Sequence, residues 1–318
     1  MLHLIEAPTP APRRGEVGVR VEAAGVAFGD VMRRRGVLAP PRAFTPGYDV
    51  VGVIDAVGAG VDSQRLGQRV AAMMPSTGLG GYATHVCLHP RHCVPVPATV
   101  SAVKAIALGL NYITAWQILH RVLDMQAGQR VLIHGAAGGV GTAALQLGRR
   151  LCLEMYGTAS ARKHSTLLQH GATPIDYRAE DFVERVTADG GVDAVLDPIG
   201  GDYLYRSYSC LRERGTVVSL GISGDLSRGM WGALTGTLPW LRLKMTWDSR
   251  RVRLYLIHLT AGASRAHCQR DWAAILQLHE DGALEPHIGA VIPLEEVARA
   301  HDLLDRSAVV GKVVLTVS

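Results

Sequence analysis

The residues with the clearest chemical potential form a glycine-rich segment at 131–141, which reads VLIHGAAGGVG. An apolar run typical of a strand precedes the glycines, and TAALQLGRR, which has helical spacing, follows them directly. Glycines permit a tight turn and let backbone N–H groups approach a pyrophosphate, whose charge is favoured at a helix N-terminus. Such turns also occur at ordinary strand-to-helix corners, but strand, turn and helix together favour dinucleotide binding. The predicted cofactor contacts here are Ala136, Gly138, Gly139, Val140 and Gly141.

A second polar group follows the next predicted strand, at residues 157–163, GTASARK. A site for NAD would place Asp or Glu at the tip of this strand, against the ribose 2′-hydroxyl. Ser160 can donate a hydrogen bond to a 2′-phosphate, and Lys163, with Arg162 as a further candidate, offers positive charge, so NADPH is favoured. Thr158 in the same segment is also a predicted cofactor contact. The alternative is that Arg162 and Lys163 only solvate the start of a helix.

The elements that must position these residues differ along the chain. From residue 130 onward, apolar strand candidates alternate with helix candidates, which indicates an α/β fold with a parallel, doubly wound sheet. Residues 15–96 show short β runs broken by glycines, typical of an all-β barrel or sandwich. Helical spacing over residues 103–123 predicts one helix that links the two regions. Residues 272–317 predict a helix, a strand, a second helix and a final strand.

Composition limits the class of protein. The chain has 318 residues, 48% hydrophobic and 19% charged, which indicates a globular protein of two domains and excludes a disordered chain or a coiled coil. The net charge is +5 with dispersed basic residues, so nucleic-acid binding is not expected. Five cysteines without a CxxC pair fit a reducing cytoplasm. No signal peptide and no run of about 18 uncharged apolar residues is found, so no membrane span is expected.

Short blocks spread over nearly the full length are GVAFGD at 25–30, TPGYDVVG at 45–52, NYITAW at 111–116, GAAGGVG at 135–141, GTASARKH at 157–164, PIDY at 174–177, VLDPIGG at 195–201 and GKVVL at 311–315. In this order they resemble the zinc-independent branch of the medium-chain dehydrogenase/reductase superfamily. Within it they are most similar to the quinone oxidoreductase (zeta-crystallin) group and the vesicle amine transport protein homologues. The resemblance implies a Rossmann NADPH-binding domain at 110–260, inserted into a GroES-like β-barrel catalytic domain at 1–109 and 261–318.

The resemblance also implies roles for particular positions. Lys163 and Tyr177 match positions that hold the 2′-phosphate end of NADPH. Thr114 and the backbone around Gly221 match positions near the nicotinamide. Relatives usually begin with a further strand, so either the true start lies upstream or an edge strand has been lost. A homodimer is implied as well.

Metal chemistry is not expected from this resemblance. The positions that hold catalytic zinc in related alcohol dehydrogenases are Ala27, Tyr48 and about Leu110 here, and these side chains cannot build a tetrahedral site. In the tract 85–93, alternation would place His85, Cys87 and His89 on one strand face, but this stretch matches a strand that enters the domain connection. Many relatives carry Asn where this chain has Ala27, so a proton donor of the family cannot be carried over.

Hydride transfer to a quinone or an enone places negative charge on an oxygen, which needs hydrogen-bond donors. In the segments that carry the resemblance, these donors are Tyr48, Asn111 and Thr114, and Asp30 could orient one of them or relay a proton. Alternatively, Asn111 caps or packs the linking helix, and Asp30 belongs to a turn or a salt bridge.

The leading hypothesis is an NADPH-dependent, metal-free reductase that acts on a small apolar quinone or α,β-unsaturated carbonyl. One alternative is an enoyl-thioester reductase of a biosynthetic pathway. Another is a non-catalytic NADPH-binding protein associated with lipid or membrane. The apolar residues 229–247 could line a substrate pocket, a dimer interface or a membrane contact, or simply pack against the nucleotide domain.

Overall fold

The computed structural model describes residues 2–37, 43–74, 79–220, 240–246, 248–257 and 265–317. They belong to two compact units. We call the first the β unit, which takes in the described residues of 1–34, 39–113 and 261–318. The second is the α/β unit, which takes in the described residues of 35–38 and 114–260.

The elements are numbered in chain order. The strands are β1 (Val17–Val26), β2 (Asp49–Val57), β3 (Arg69–Met73), β4 (His85–Leu88), β5 (Cys93–Pro95), β6 (Arg130–Ile133), β7 (Glu154–Ala159), β8 (Thr173–Asp176), β9 (Val192–Asp197), β10 (Leu211–Ser219), β11 (Arg251–Leu254), β12 (Ile288–Pro293) and β13 (Lys312–Thr316). The helices are α1 (Phe28–Arg34), α2 (Ala102–Ala107), α3 (Leu110–Gln117), α4 (Gly139–Arg150), α5 (His164–Gln169), α6 (Phe182–Ala188), α7 (Asp202–Ser209), α8 (Arg265–Glu280) and α9 (Val297–Asp305).

The β unit is built on one sheet in the order β12-β13-β1-β2-β3-β5, with β4 also paired to β1. Its pairs are antiparallel except β12 with β13. β1 serves two partners on one edge, because its first half pairs with β4 and its second half with β13. Valines on β1 pack with Ile54, Leu88 and Leu315 in the core. The sheet joins segments from both ends of the chain, as the GroES-like arrangement requires.

The α/β unit contains a parallel six-stranded sheet in the order β11-β10-β9-β6-β7-β8. The first strand in the chain, β6, lies in the middle, next to β7 on one side and β9 on the other. Strands β7 and β8 are therefore added on one side of β6, and β9, β10 and β11 on the other. This change of side between β6 and β9 is the Rossmann order. Apolar side chains such as Leu132, Ile175, Val195 and Val217 fill its core. The predicted parallel, doubly wound sheet is confirmed.

The helix predicted over residues 103–123 is interrupted. α2 ends at Ala107 and α3 begins at Leu110, because the Asp49 carboxylate accepts a hydrogen bond from the N–H of Leu110 at 3.0 Å. A π-helical turn, Ile118–Val122, follows α3. By length and composition alone, Ala102–Val122 could cross a membrane, but 78% of its apolar window is buried within the described fold, as in a core helix.

Candidate functional site

The glycine-rich turn joins the end of β6 to the start of α4, and backbone contacts hold its conformation. Gly135 has a φ of +61°, in the left-handed region that favours glycine, and its carbonyl oxygen accepts a hydrogen bond from the N–H of Gly138 at 2.8 Å. A Cβ atom on Gly141 would lie 2.5 Å from the carbonyl oxygens of Gly135 and Ala136. No larger residue fits at position 141 unless the turn moves.

The outer side of this turn offers backbone donors. Gly138 is exposed, and Gly139 and Val140 are half-buried. Gly138 is the N-cap of α4, a helix of 12 residues, and the first N–H groups of a helix have no acceptor within it. With the positive end of the helix dipole, these groups fit a pyrophosphate. The five predicted contacts at 136 and 138–141 lie together in this turn, although Ala136 itself is fully buried.

The polar side chains predicted to hold a 2′-phosphate follow β7. Ser160 comes directly after the strand, and Lys163 ends the helical turn Ala161–Lys163. Both are largely enclosed, with Lys163 only 9% exposed, and the N–H of Lys163 donates to the carbonyl oxygen of Ser160 at 2.8 Å. Burial lowers the pKa of Lys163, and the neighbouring charge of Arg162 adds to this effect. A cation held this far from water is stabilised by an anionic partner.

The two other predicted contacts in this unit are less informative. Tyr177 follows β8 and is 44% exposed, with the guanidinium of Arg178 at 5.7 Å from the ring centroid. Gly221 lies outside the described residues, as does most of the apolar segment 229–247, of which 240–246 are described.

Thr158 faces the inside of the turn. Its Oγ1 accepts a hydrogen bond from the N–H of Gly135 at 3.2 Å and lies 3.1 Å from Nδ1 of His134. Nε2 of His134 is in turn 3.1 Å from Oγ of Ser207. Sequence reasoning grouped Thr158 with the cofactor contacts and missed His134. The only signal for His134 was a polar residue at the end of an otherwise apolar strand.

In the β unit, Asp30 is fully buried on α1. Its carboxylate accepts hydrogen bonds from the N–H of Ala27 at 3.0 Å, the N–H of Gly47 at 2.9 Å and the hydroxyl of Tyr82 at 3.0 Å. Tyr82 Oη also lies 3.3 Å from Nε2 of His301. Burial raises the pKa of Asp30 to about 6, and the hydrogen bonds oppose that rise. Asp30 thus ties the start of α1 to the segment that leads into β2.

Tyr48 lies beside α1. A Cβ atom on Gly29 would come within 2.4 Å of the Tyr48 hydroxyl, so the helix passes close to this group. The guanidinium of Arg33 lies 4.7 Å from the centroid of the Tyr48 ring. Burial raises the pKa of Tyr48 to about 12, with Arg33 lowering it and Asp30 raising it to smaller extents. The hydroxyl therefore keeps its proton at neutral pH and can act as a hydrogen-bond donor.

Asn111 is placed by the bond between Asp49 and the N–H of Leu110. This bond joins the residue after Tyr48 to the residue before Asn111 within the β unit. Asn111 is 8% exposed. Thr114, also largely buried, lies three residues further along α3, on the same side of that helix.

The positions that match zinc ligands in related enzymes hold no metal-binding side chain, since they are Ala27, Tyr48 and Leu110. Across the described ranges, no group of three or more His, Cys, Asp or Glu side chains converges. In the tract 85–93, His85 pairs with Asp55 at 3.3 Å. The Cys87 thiol donates to a backbone carbonyl, and His89 accepts from a backbone N–H.

Family models match both units. Residues 13–98 match an alcohol dehydrogenase GroES-like domain, and residues 169–315 match a zinc-binding dehydrogenase. The human synaptic vesicle membrane protein VAT-1 homolog is 35% identical over 97% of this chain and 81% of that protein. A quinone oxidoreductase from Lama guanicoe is 32% identical over 96% of this chain and 90% of that protein.

Solved structures agree. The structure of Escherichia coli quinone oxidoreductase complexed with NADPH has a TM-score of 0.84 and 28% identity, and the match covers 98% of this chain and 94% of that chain. Fold, family models and full-length relatives therefore point the same way. The chain belongs to the medium-chain dehydrogenase/reductase family, in the group of quinone oxidoreductases and VAT-1 homologues.

Proposed function

We propose that this protein is an NADPH-dependent reductase that transfers hydride to a quinone or an α,β-unsaturated carbonyl without a metal ion. Its family is one of oxidoreductases. The observation that carries the choice of cofactor is the enclosed pair of Ser160 and Lys163 behind the tip of β7. Ser160 stands at the place where an Asp or Glu would hold the ribose 2′-hydroxyl of NAD.

The α/β unit supplies the binding groups. The N–H groups at the start of α4 face the pyrophosphate, and Ser160 and Lys163 hold the 2′-phosphate. When bound, the dinucleotide would supply a hydride, which carries both electrons for reduction of the acceptor, and a proton from water would complete the reduction. The related quinone oxidoreductase solved with NADPH supports this choice.

Tyr48 and Asn111 of the β unit, and Thr114 at the start of the second segment of the α/β unit, supply donors for the acceptor oxygen, on which negative charge develops during reduction. Tyr48 has a pKa raised to about 12, so it is present as the protonated hydroxyl. The Asn111 amide adds a neutral donor on α3, and Thr114 a hydroxyl on the same helix. Asp30 is occupied by three donors, so it positions the segment before Tyr48.

The metal-free part of the proposal rests on the donor set. Zinc is held by Cys, His or carboxylate ligands, and the matching positions carry Ala27, Tyr48 and Leu110. Stabilisation of the oxygen therefore falls to neutral hydrogen-bond donors, and positioning of the reactants supplies the rest of the rate enhancement.

The test is NADPH oxidation at saturating cofactor with quinones, short and long enones and enoyl thioesters, with NADH in parallel and a chelator in matched samples. We expect turnover that prefers NADPH, favours quinones or enones and is unaffected by the chelator. A preference for thioesters would assign the alternative of an enoyl-thioester reductase. NADPH binding without turnover of any acceptor would assign a non-catalytic protein, and loss of turnover with the chelator would overturn the metal-free mechanism.

A matched pair of variants ties turnover to the site. Tyr48→Phe removes only the hydroxyl, and we expect kcat to fall by about 10-fold to 100-fold, as for loss of one oxyanion donor. Tyr156→Phe is the control, because it removes a hydroxyl that donates to Asp189 at 2.8 Å in the other unit. Equal kcat values for both variants and the wild type would remove Tyr48 from the mechanism.

A further inference from the structure

A buried chain of hydrogen bonds runs through the α/β unit beneath the glycine-rich turn. It starts at the N–H of Gly135, passes through Thr158 Oγ1 to Nδ1 of His134, and leaves from Nε2 to Ser207 Oγ. Ser207 then donates to Oδ2 of Asp197 at 2.9 Å. His134, Thr158, Ser207 and Asp197 are all buried.

The direction of each bond in this chain follows from its two ends. The hydroxyl proton of Ser207 is given to Asp197, so Ser207 Oγ accepts from His134. His134 therefore carries its proton on Nε2, and Nδ1 accepts the proton of Thr158 Oγ1. Thr158 Oγ1 is then an acceptor for the N–H of Gly135. One tautomer of a neutral imidazole satisfies every group.

These hydrogen bonds connect the two sides of the point where the strand order changes, between β6 and β9. His134 directly follows β6 and Asp197 ends β9, and these strands are neighbours. Oδ1 of Asp197 also accepts from the N–H groups of Ile199 at 2.8 Å and Gly200 at 2.9 Å, which shapes the loop after β9. In sheets of this type, ligands bind outside the carboxyl ends of the strands at the change of strand order. The two loops at that place are thus connected through one side chain.

The surroundings of the imidazole favour its neutral form. Burial lowers the pKa of His134 to about 4, against an opposing effect of Asp197. The ring packs edge-on against Phe182, with centroids 4.7 Å apart, and against Tyr203, at 5.9 Å. The ring is therefore held in place by packing as well as by its two hydrogen bonds.

We infer that His134 is a positioning residue, which as the Nε2–H tautomer holds the glycine-rich turn and the loop after β9 in the geometry that binds the dinucleotide. This inference deepens the proposed function and rests on it for the identity of the ligand. His134 acts through Gly135 and Thr158, so cofactor affinity should depend on it more than kcat does.

The test compares His134→Phe, which keeps an aromatic ring against Phe182 and Tyr203 but removes both hydrogen bonds, with Thr158→Val and Thr158→Ser. Thr158→Val removes the hydroxyl at nearly constant shape, and Thr158→Ser restores it. Tyr156→Phe is the stability control. The Tyr156 hydroxyl donates to Asp189, which precedes β9 and so lies at the amino-terminal ends of the strands, opposite to the glycine-rich turn. The readouts are amide hydrogen exchange of peptides covering residues 135–141 and the Kd for NADPH, measured by its fluorescence well below each Tm.

We expect His134→Phe and Thr158→Val to raise exchange in residues 135–141 by about 10-fold or more and to raise the NADPH Kd by about 10-fold. Thr158→Ser should restore both, and Tyr156→Phe should change neither. A lower Tm with unchanged exchange and unchanged Kd would overturn the inference. If the wild type binds no NADPH, the proposed function fails, while exchange at 135–141 still decides whether His134 holds the turn.

Discussion

Asp30 shows how much of the β unit depends on a single buried carboxylate. Its three donors are the N–H groups of Ala27 and Gly47 and the hydroxyl of Tyr82. An amide at this position turns an NH₂ group toward at least one donor, so we expect Asp30→Asn to lower the free energy of unfolding by about 2 to 4 kcal/mol. Urea unfolding at pH 7 measures this, with Tyr82→Phe, which removes one donor, as the milder control. A smaller loss for Asp30→Asn than for Tyr82→Phe would contradict the assignment.

In the proposed function, Lys163 is the residue that distinguishes NADPH from NADH. Removal of its charge should weaken binding of a 2′-phosphate and spare a ribose that lacks one. We expect Lys163→Gln to raise the Kd for NADPH by about 10-fold to 100-fold, in line with loss of a charge-assisted hydrogen bond. The Kd for NADH should change by less than about 3-fold, on the same reasoning. Fluorescence titration with both cofactors measures this, and Arg162→Gln removes the neighbouring exposed charge as control. Equal losses for both cofactors would contradict a 2′-phosphate site at Lys163.

Groups whose partners are close in the sequence could be predicted, and groups whose partners are distant could not. The glycine-rich turn and the Ser160 to Lys163 segment were predictable, because their chemistry is local and follows a strand directly. The role of Asp30 and the presence of His134 in the turn were not. Asp30 is bonded to residues 17 and 52 positions away, and His134 to residues 24 and 73 positions away. Only the folded sheet brings these groups together.

At the scale of an element, helix α4 contains two glycines, Gly141 and Gly148, that differ in what surrounds them. A Cβ atom on Gly141 would lie 2.5 Å from two backbone oxygens, whereas one on Gly148 would lie 2.5 Å from the flexible Met155 side chain. We expect Gly141→Ala to cost about 2 kcal/mol or more and to weaken NADPH binding at least 10-fold, because the turn must move. Gly148→Ala should leave NADPH binding unchanged. Thermal unfolding and cofactor titration measure the two effects, and unchanged cofactor binding in Gly141→Ala would show that the turn does not contact the cofactor.

Element boundaries were the weakest part of the sequence prediction, for the same physical reason. The apolar spacing over 103–123 favours one helix, but Asp49, 61 positions away, bonds to the N–H of Leu110 and sets a new start there. A Cβ atom on Gly109 would also lie 2.8 Å from the Trp272 side chain, so this close approach needs glycine. Strand β11 was not among the predicted strands, and its four residues alternate arginine with an apolar residue. Local periodicity contains none of this information.

At the scale of the whole molecule, each unit carries a buried histidine that folding keeps neutral. Burial lowers the pKa of His134 in the α/β unit and of His301 in the β unit from 6.5 to about 4. Below pH 6.5 these two histidines bind protons in the unfolded chain but stay neutral in the folded chain, so stability is lost as the pH falls toward 4. Asp30 acts in the opposite direction, because its raised pKa of about 6 means that the folded chain takes up a proton first and gains stability on acidification.

Each histidine contributes about 3 kcal/mol to the acid loss, and Asp30 offsets about 3 kcal/mol of it, so we expect a net loss of about 3 kcal/mol between pH 6.5 and 4. Urea unfolding over this range measures it. In His301→Gln the loss due to His301 is removed, so its stability should fall less than that of the wild type, while Asp30→Asn should lose more than the wild type on acidification. His3→Gln changes an exposed histidine as the control. Parallel curves for His301→Gln and the wild type would show that His301 is not the neutral buried group assigned here.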